Sequence, residues 1–265
     1  MTHNNDIGIL THQLERGNRA ALSRLMTLAA AENASDSLAA ALQSLSERST
    51  SVVALTGSGG VGKSSLLGAV AASFAERGEL VAVLACDPQS PVTGGALLGD
   101  RCRIAGASAS RQIFIRSLAT PSGQQGIAQN IEMVLSVMKR FAFDRIFVET
   151  VGAGQADVAV RSVADIIVVV LQPQTGDDLQ WEKAGILEMA DVVVINKSDL
   201  SGADRTVAEL RQQLHSTSEQ RIPILKTSVA RAEGVEELCR VIMSYPVMRE
   251  KTPWIAGAQQ TSLQN

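Results

Sequence analysis

Ser51-Val-Val-Ala-Leu-Thr-Gly-Ser-Gly-Gly-Val-Gly-Lys-Ser64 is the stretch from which the rest of the chain can be read. Val52 to Leu55 have no polar side, which predicts a short strand covered on both faces. Gly57 to Ser64 fit GxxxxGK[ST], and the residues after Lys63 carry a helical period. Strand, glycine turn and helix start in that order form a phosphate cradle. Glycines let the main chain wrap close to oxyanions, and its N–H groups converge at the positive end of a helix. By chance such a match arises in a chain of this length on the order of once in a hundred. Gly57, Ser58, Gly59, Gly60, Val61, Gly62, Lys63, Ser64 and Ser65 are therefore candidate nucleotide contacts. Lys63 would bridge the β- and γ-phosphates as a catalytic group, and the Ser64 hydroxyl would sit on Mg²⁺.

Outward from this stretch, apolar runs recur at 81–86, 145–149, 166–171, 191–196 and 222–227. Helical patterns at 63–77, 126–141, 178–189, 203–217 and 234–243 separate them. That alternation predicts an α/β fold of the P-loop NTPase type, a mostly parallel sheet flanked by helices. Ligands then gather at the carboxyl ends of the strands. Residues 6–48 read as helices broken at Gly17-Asn18 and at 33–36, with Ser35 or Asp36 capping the third. The expected division is an N-terminal helical subdomain (1–48), a P-loop domain (49–248) and a flexible tail (249–265). Residues 87–125 are rich in glycine and proline, with an extra strand at 112–117, and read as a nucleotide-sensing loop region.

Asn196-Lys-Ser-Asp199 follows the run Asp191-Val-Val-Val-Ile195. A carboxylate there accepts from both guanine N1–H and the exocyclic amine, a donor pair adenine lacks. Asp199 thus selects GTP over ATP, Lys197 lies along the base, and Asn196 braces neighbouring loops. Backbone N–H groups of Ser228 and Val229 could meet the guanine oxygen.

Arg145-Ile-Phe-Val-Glu149-Thr-Val-Gly152 ends a strand in a carboxylate three residues before a glycine. Glu149 is a candidate for the metal shell and catalysis, or a solvated strand-end glutamate. The Gly152 N–H can sense a γ-phosphate. Gln155 could orient water. Asp87 and Asp100 are candidate Mg²⁺ ligands, since a carboxylate near triphosphate needs a metal between them. The alternatives are a helix cap for Asp87 and pairing with Arg101 or Arg103 for Asp100. Arg101, Arg103 and Arg116 could face the transferred phosphoryl group or simply be surface arginines.

With 24 basic and 27 acidic residues the net charge is −3, so no broad cationic field attracts nucleic acid or an anionic membrane. Two Trp, one Tyr and five Phe leave little for base stacking. No apolar run approaches a membrane span, and the polar start Met-Thr-His-Asn-Asn-Asp has no secretory core after it. Cys86, Cys102 and Cys239 lack metal or disulfide spacing, which suits a reducing cytoplasm.

Over residues 6 to 245 the chain resembles the MeaB/ArgK family of G proteins. The likeness rests on Cys86-Asp-Pro-Gln-Ser-Pro-Val-Thr-Gly-Gly95, Leu98-Gly-Asp-Arg-Cys-Arg103, Ile113-Phe-Ile-Arg-Ser117 and Val148-Glu-Thr-Val-Gly-Ala-Gly-Gln155, in this order. Gln89 and Val229 depart from the family's usual residues, and Thr56 to Gly60 differ from the proline-containing loop of many relatives. The resemblance implies a Mg²⁺-dependent GTPase chaperone of an adenosylcobalamin-dependent acyl-CoA mutase. It would gate cofactor loading and protect or reactivate the mutase, with cobalamin held by that partner. It also implies that Lys63 and Ser64 hold phosphate and metal, that Asp87, Asp100 and Glu149 serve the metal shell or switches, and that Asn196, Lys197 and Asp199 read guanine. Homodimerisation in the family uses a helical arm beyond the core, and little follows Tyr245 here. The rival readings are a metallochaperone GTPase, an ATPase of the ParA/MinD type, whose signature lysine position Ser58 occupies, and a small-molecule kinase.

Overall fold

A computed structural model describes residues 2–31, 36–88, 110–120, 130–150, 158–173, 186–217 and 222–246. Three helices come first: α1 (Thr2–Glu15), α2 (Arg19–Ala30) and α3 (Asp36–Gln43). Then follow β1 (Ser51–Thr56), α4 (Lys63–Glu76), β2 (Val81–Pro88), β3 (Ile113–Thr120), α5 (Ile131–Lys139) and β4 (Arg145–Glu149). The remainder is α6 (Val158–Val163), β5 (Ile166–Leu171), a 3-10 turn (Ile186–Met189), β6 (Val192–Ile195), α7 (Ala203–Thr217), β7 (Ile224–Lys226) and α8 (Val235–Ser244).

The seven strands form one parallel sheet in the order β3-β2-β4-β1-β5-β6-β7. Central β1, β5 and β6 are buried along their whole length, which is why their side chains are apolar on both faces. Leu55 of β1 stands opposite Glu149 of β4, and Thr56 opposite Val169 of β5. The segment that opens the phosphate cradle therefore sits mid-sheet, flanked by the ends of two neighbours.

One apolar layer covers each face. On one side Val53, Leu55, Phe147 and Val168 pack against Leu66, Leu67, Val70 and Phe74 of α4 and Leu238 and Ile242 of α8. On the other, Val52, Ala54, Ile146 and Val148 share a core with Leu14, Leu22, Leu25 and Leu38 of α1–α3 and with residues of α5, α6 and α7. Asn18 caps α2 by accepting from the N–H groups of Ala20 (2.9 Å) and Ala21 (3.1 Å). Gly17, at φ +77°, turns the chain out of α1. No helix among the described residues is long and apolar enough to cross a membrane.

Several boundaries differ from the sequence expectation for local chemical reasons. The extra strand expected at 112–117 is β3, longer and at the sheet edge. The run at 191–196 shortens to β6 because the Asp191 carboxylate is taken up by a backbone contact, accepting from Ile167 N at 2.8 Å. Asp144 accepts in the same way from Leu80 N at 2.7 Å, and Asp165 from Val52 N at 2.8 Å. Three aspartates thus satisfy main-chain donors at the amino edge of the sheet. The last strand narrows to β7, since Pro223 before it has no N–H to donate. Of the helix expected at 178–189, the described part is the turn Ile186–Met189; α5 is the described part of the one expected at 126–141. Ser35 lies outside the described residues, and α3 begins at Asp36.

Candidate functional site

The turn after β1 is tight because its glycines have no alternative. A Cβ on Gly57 (φ +145°) would lie 2.1 Å from the carbonyl oxygen of Val170, so the loop leaves β1 directly against β5. Gly62, at φ +91°, is the N-cap of α4, and a Cβ there would stand 2.5 Å from the Asn196 amide nitrogen. Left-handed residues placed before a helix start turn successive N–H groups toward one point, the geometry of an anion nest. The Lys63 ammonium folds back over this loop and donates to the carbonyls of Gly57 (2.8 Å) and Ser58 (3.1 Å). Ser58, Gly59, Gly60 and Ser65 are exposed, whereas Val61 is buried against the α4 side of the sheet.

Ser64, on the first turn of α4, donates through Oγ to Glu149 Oε1 at 2.7 Å. Both are buried. Phe147 belongs to the core on the α4 face and Glu149 shares its side of β4; Val81 and Val83 place Asp87 on that same side of β2. Asp87 is fully buried. A hydroxyl and two carboxylates are hard oxygen donors of the kind Mg²⁺ takes, and no group of three His, Cys, Asp or Glu side chains able to hold a metal occurs among the described residues. The set fits a Mg²⁺ that relies on few protein carboxylates and on substrate phosphate oxygens.

At the end of β6 the Asn196 amide donates to the carbonyl of Val61 at 2.9 Å, and its Oδ1 accepts from the Thr227 hydroxyl at 3.0 Å. Lys197 adopts φ +56°, a left-handed conformation costly for a long side chain. In that pose its ammonium donates to the Gly60 carbonyl (2.6 Å) and to Gln172 Oε1 (2.9 Å). Asp199 Oδ1 accepts from the Ser228 hydroxyl at 2.6 Å. That bond, a backbone contact and the nearby Arg231 charge hold the Asp199 carboxyl below its ordinary value, with partial desolvation opposing them. Ser228 is in turn pinned by reciprocal main-chain bonds with Glu233, both 3.0 Å. Val229, next in line, is half-buried against the same core. Gly234 is required behind it, since a Cβ there would fall 2.0 Å from the Lys226 carbonyl oxygen.

The fold thus brings Gly57 to Ser64, Asp87, Glu149, Asn196, Lys197, Asp199 and Ser228 to the carboxyl ends of neighbouring strands. Asp100, Gly152 and Gln155, with Arg101 and Arg103, lie outside the described residues. Arg116 takes a different place. Its guanidinium donates to the Thr27 hydroxyl of α2 at 2.9 Å, on the sheet face away from α4. Sequence reading missed Gln172, Thr227, Thr56 and Thr150 as side chains of this region. Their one visible signal is a polar residue at the end of an apolar strand.

A family model described as "Methylmalonyl Co-A mutase-associated GTPase MeaB" matches residues 22–263. A protein of Pyrococcus abyssi named as a GTPase is 38% identical over 251 residues, which cover 92% of this chain and 77% of that protein. A mitochondrial methylmalonic aciduria type A homolog of Caenorhabditis elegans is 34% identical over 73% of this chain and 50% of its own length. The crystal structure of a LAO/AO transport system kinase superposes with a TM-score of 0.70 at 24% identity, covering 90% of this chain and 74% of that one. The nickel complex of HypB from Helicobacter pylori gives 0.56 at 18% identity, covering 74% and 86%. At those identities the two structures speak to the fold alone.

Proposed function

The chain belongs to the MeaB family, the methylmalonyl-CoA mutase-associated GTPases, and from that premise we propose that this GTP hydrolase is a Mg²⁺-dependent chaperone of an adenosylcobalamin-dependent acyl-CoA mutase. Its nucleotide state gates cofactor loading and protects or reactivates the mutase. Cobalamin stays with the partner, and the chain works in the cytoplasm. One observation carries the nucleotide half of this reading. The Asn196 amide and the Lys197 ammonium grip the carbonyls of Val61 and Gly60, so the phosphate cradle and the base-reading loop are tied into one unit.

In this reading the N–H groups of the Gly57–Gly62 turn receive the β-phosphate, and Lys63 exchanges its carbonyl partners for β- and γ-phosphate oxygens. Ion–ion contacts replace ion–dipole ones, which favours the triphosphate. Asp199, kept ionised by Ser228, accepts guanine N1–H and the exocyclic amine, while the backbone at Ser228 and Val229 faces the guanine oxygen. Ser64, Asp87 and Glu149, with Asp100, would hold Mg²⁺, which would supply charge neutralisation for the phosphates. Gly152 and Gln155 act at the γ-phosphate and its attacking water. Residues 1–48 serve as a helical subdomain beside the P-loop domain. A metallochaperone reading gains nothing from the two described cysteines: buried Cys86 and Cys239 lie in the cores on opposite faces of the sheet.

Calorimetry with Mg²⁺ tests the nucleotide half: GTP and GDP bind and ATP does not, whereas equal affinity for ATP discards it. The partner half is tested by capture from native extract with a GTP analogue bound. An acyl-CoA mutase is the expected protein, and cobalamin transfer to that mutase must respond to GTP. Hydrolysis is expected to be slow alone; fast turnover without a partner would contradict gating by the mutase.

A further inference from the structure

Two buried hydroxyls meet where β1 and β4 end, outside the chemistry assigned so far. Thr56 closes β1 immediately before Gly57, and Thr150 follows Glu149 at the end of β4. The Thr150 hydroxyl donates to Thr56 Oγ1 at 3.1 Å, across 94 positions of sequence. Thr150 N also donates to Leu55 O at 3.1 Å, so the β1–β4 ladder continues one residue past Glu149. Both threonines are buried, 1% and 2% exposed.

Strand alternation sets the side. Val52 and Ala54 of β1, and Ile146 and Val148 of β4, belong to the core shared with the N-terminal helices, and Thr56 and Thr150 continue those two series. The Ser64–Glu149 bond is on the other face, beside α4. The end of β4 is therefore fastened on both faces, to α4 by a serine–glutamate bond and to β1 by the threonine pair. Gly57, next in the chain after Thr56, runs close along β5, since a Cβ there would lie 2.1 Å from the Val170 carbonyl oxygen. Thr150 is thus linked through Thr56 to the glycine that starts the phosphate loop, and along the chain to the glutamate that bonds Ser64.

We infer that the Thr56–Thr150 hydroxyl pair is a positioning element for GTP hydrolysis, coupling the end of β4 to the start of the phosphate loop. It touches no nucleotide, and it acts through Gly57 and Glu149. The inference rests on the GTPase reading above. Its chemical requirement is a hydroxyl at each position: serine can supply one, and valine has the same volume without it.

The test compares the full chain with Thr150→Val, Thr150→Ser and Thr56→Val. Affinities for GDP and for a non-hydrolysable GTP analogue are measured by calorimetry with Mg²⁺, together with kcat and the melting temperature. Wild-type binding and turnover test the GTPase reading by themselves; the variants test the coupling. Expected for both valine variants is kcat and analogue affinity each reduced about tenfold, with GDP affinity reduced several-fold less. Thr150→Ser restores both. The inference is overturned if the valine variants keep wild-type kcat and analogue affinity. It is overturned equally if GDP and analogue affinities fall together in step with the melting temperature, which is the signature of a packing role, or if Thr150→Ser is as impaired as Thr150→Val.

Discussion

Lys63 shows how a residue's local bonds set the size of its mutant effect. Its ammonium donates to two loop carbonyls, neutral partners that the phosphate oxygens of a nucleotide can replace. For Lys63→Ala phosphate affinity should fall by about 1.5–3 kcal/mol, as for loss of a charge-assisted contact, which titration with GTP would record. Asp199 is governed by a neighbour. Its carboxyl lies below its ordinary value, chiefly because Ser228 donates to it, so the charged form persists to lower pH than in a free aspartate. The Asp199 contribution to guanine affinity should therefore stay flat between about pH 5 and 8. Ser228→Ala should move its acid limb upward toward ordinary carboxylate values, which GDP titration across pH would record; an unmoved limb removes Ser228 from that role. The motif residues were legible in the sequence because their spacing alone is distinctive. The Ser228 hydroxyl, Thr227 and Gln172 were not. Their partners lie 29, 31 and 25 positions away, and nothing local marks such a pair.

Among elements, the α4 amino terminus and the β6 exit behave as one joint, made by contacts between Gly60–Gly62 and Asn196–Lys197. Gly62→Ala tests it. The backbone conformation alone costs an L-residue about 1–2 kcal/mol, and the added methyl would displace the Asn196 amide, 2.5 Å away. Lower unfolding midpoint and weaker guanine binding should appear together, since one substitution strikes both halves of the joint. Element identity was readable from sequence wherever apolar runs were long, as in β1 and β5. Boundaries were not, because they depend on tertiary acceptors. Asp191 leaves β6 to take Ile167 N, and Asp144 and Asp165 make the corresponding contacts below β2 and β1.

For the molecule as a whole, the apolar layer opposite α4 belongs jointly to the sheet and to α1–α3. Arg140 reinforces the join by donating to the Leu42 carbonyl at 2.6 Å, and Asn130 does so through the Ala31 carbonyl at 2.7 Å. A chain starting at residue 49 should therefore expose that layer and aggregate, whereas Leu25→Ala in the full chain should lose about 2–5 kcal/mol in urea unfolding while keeping nucleotide binding. A soluble, GTP-binding truncation would show that the helices are dispensable. The α/β class was legible in the alternation of runs; that the leading helices complete the sheet's own core was not, because their amphipathic period names no partner. Strand order has one more consequence, for birth rather than for catalysis. β1 pairs only with β4 and β5, which are made about a hundred residues later, so during translation the glycine turn waits on the order of ten seconds without a neighbour. In a nascent polypeptide stalled before residue 145, β1 has nothing to zip against, and ribosome-associated factors would meet that bare apolar segment first.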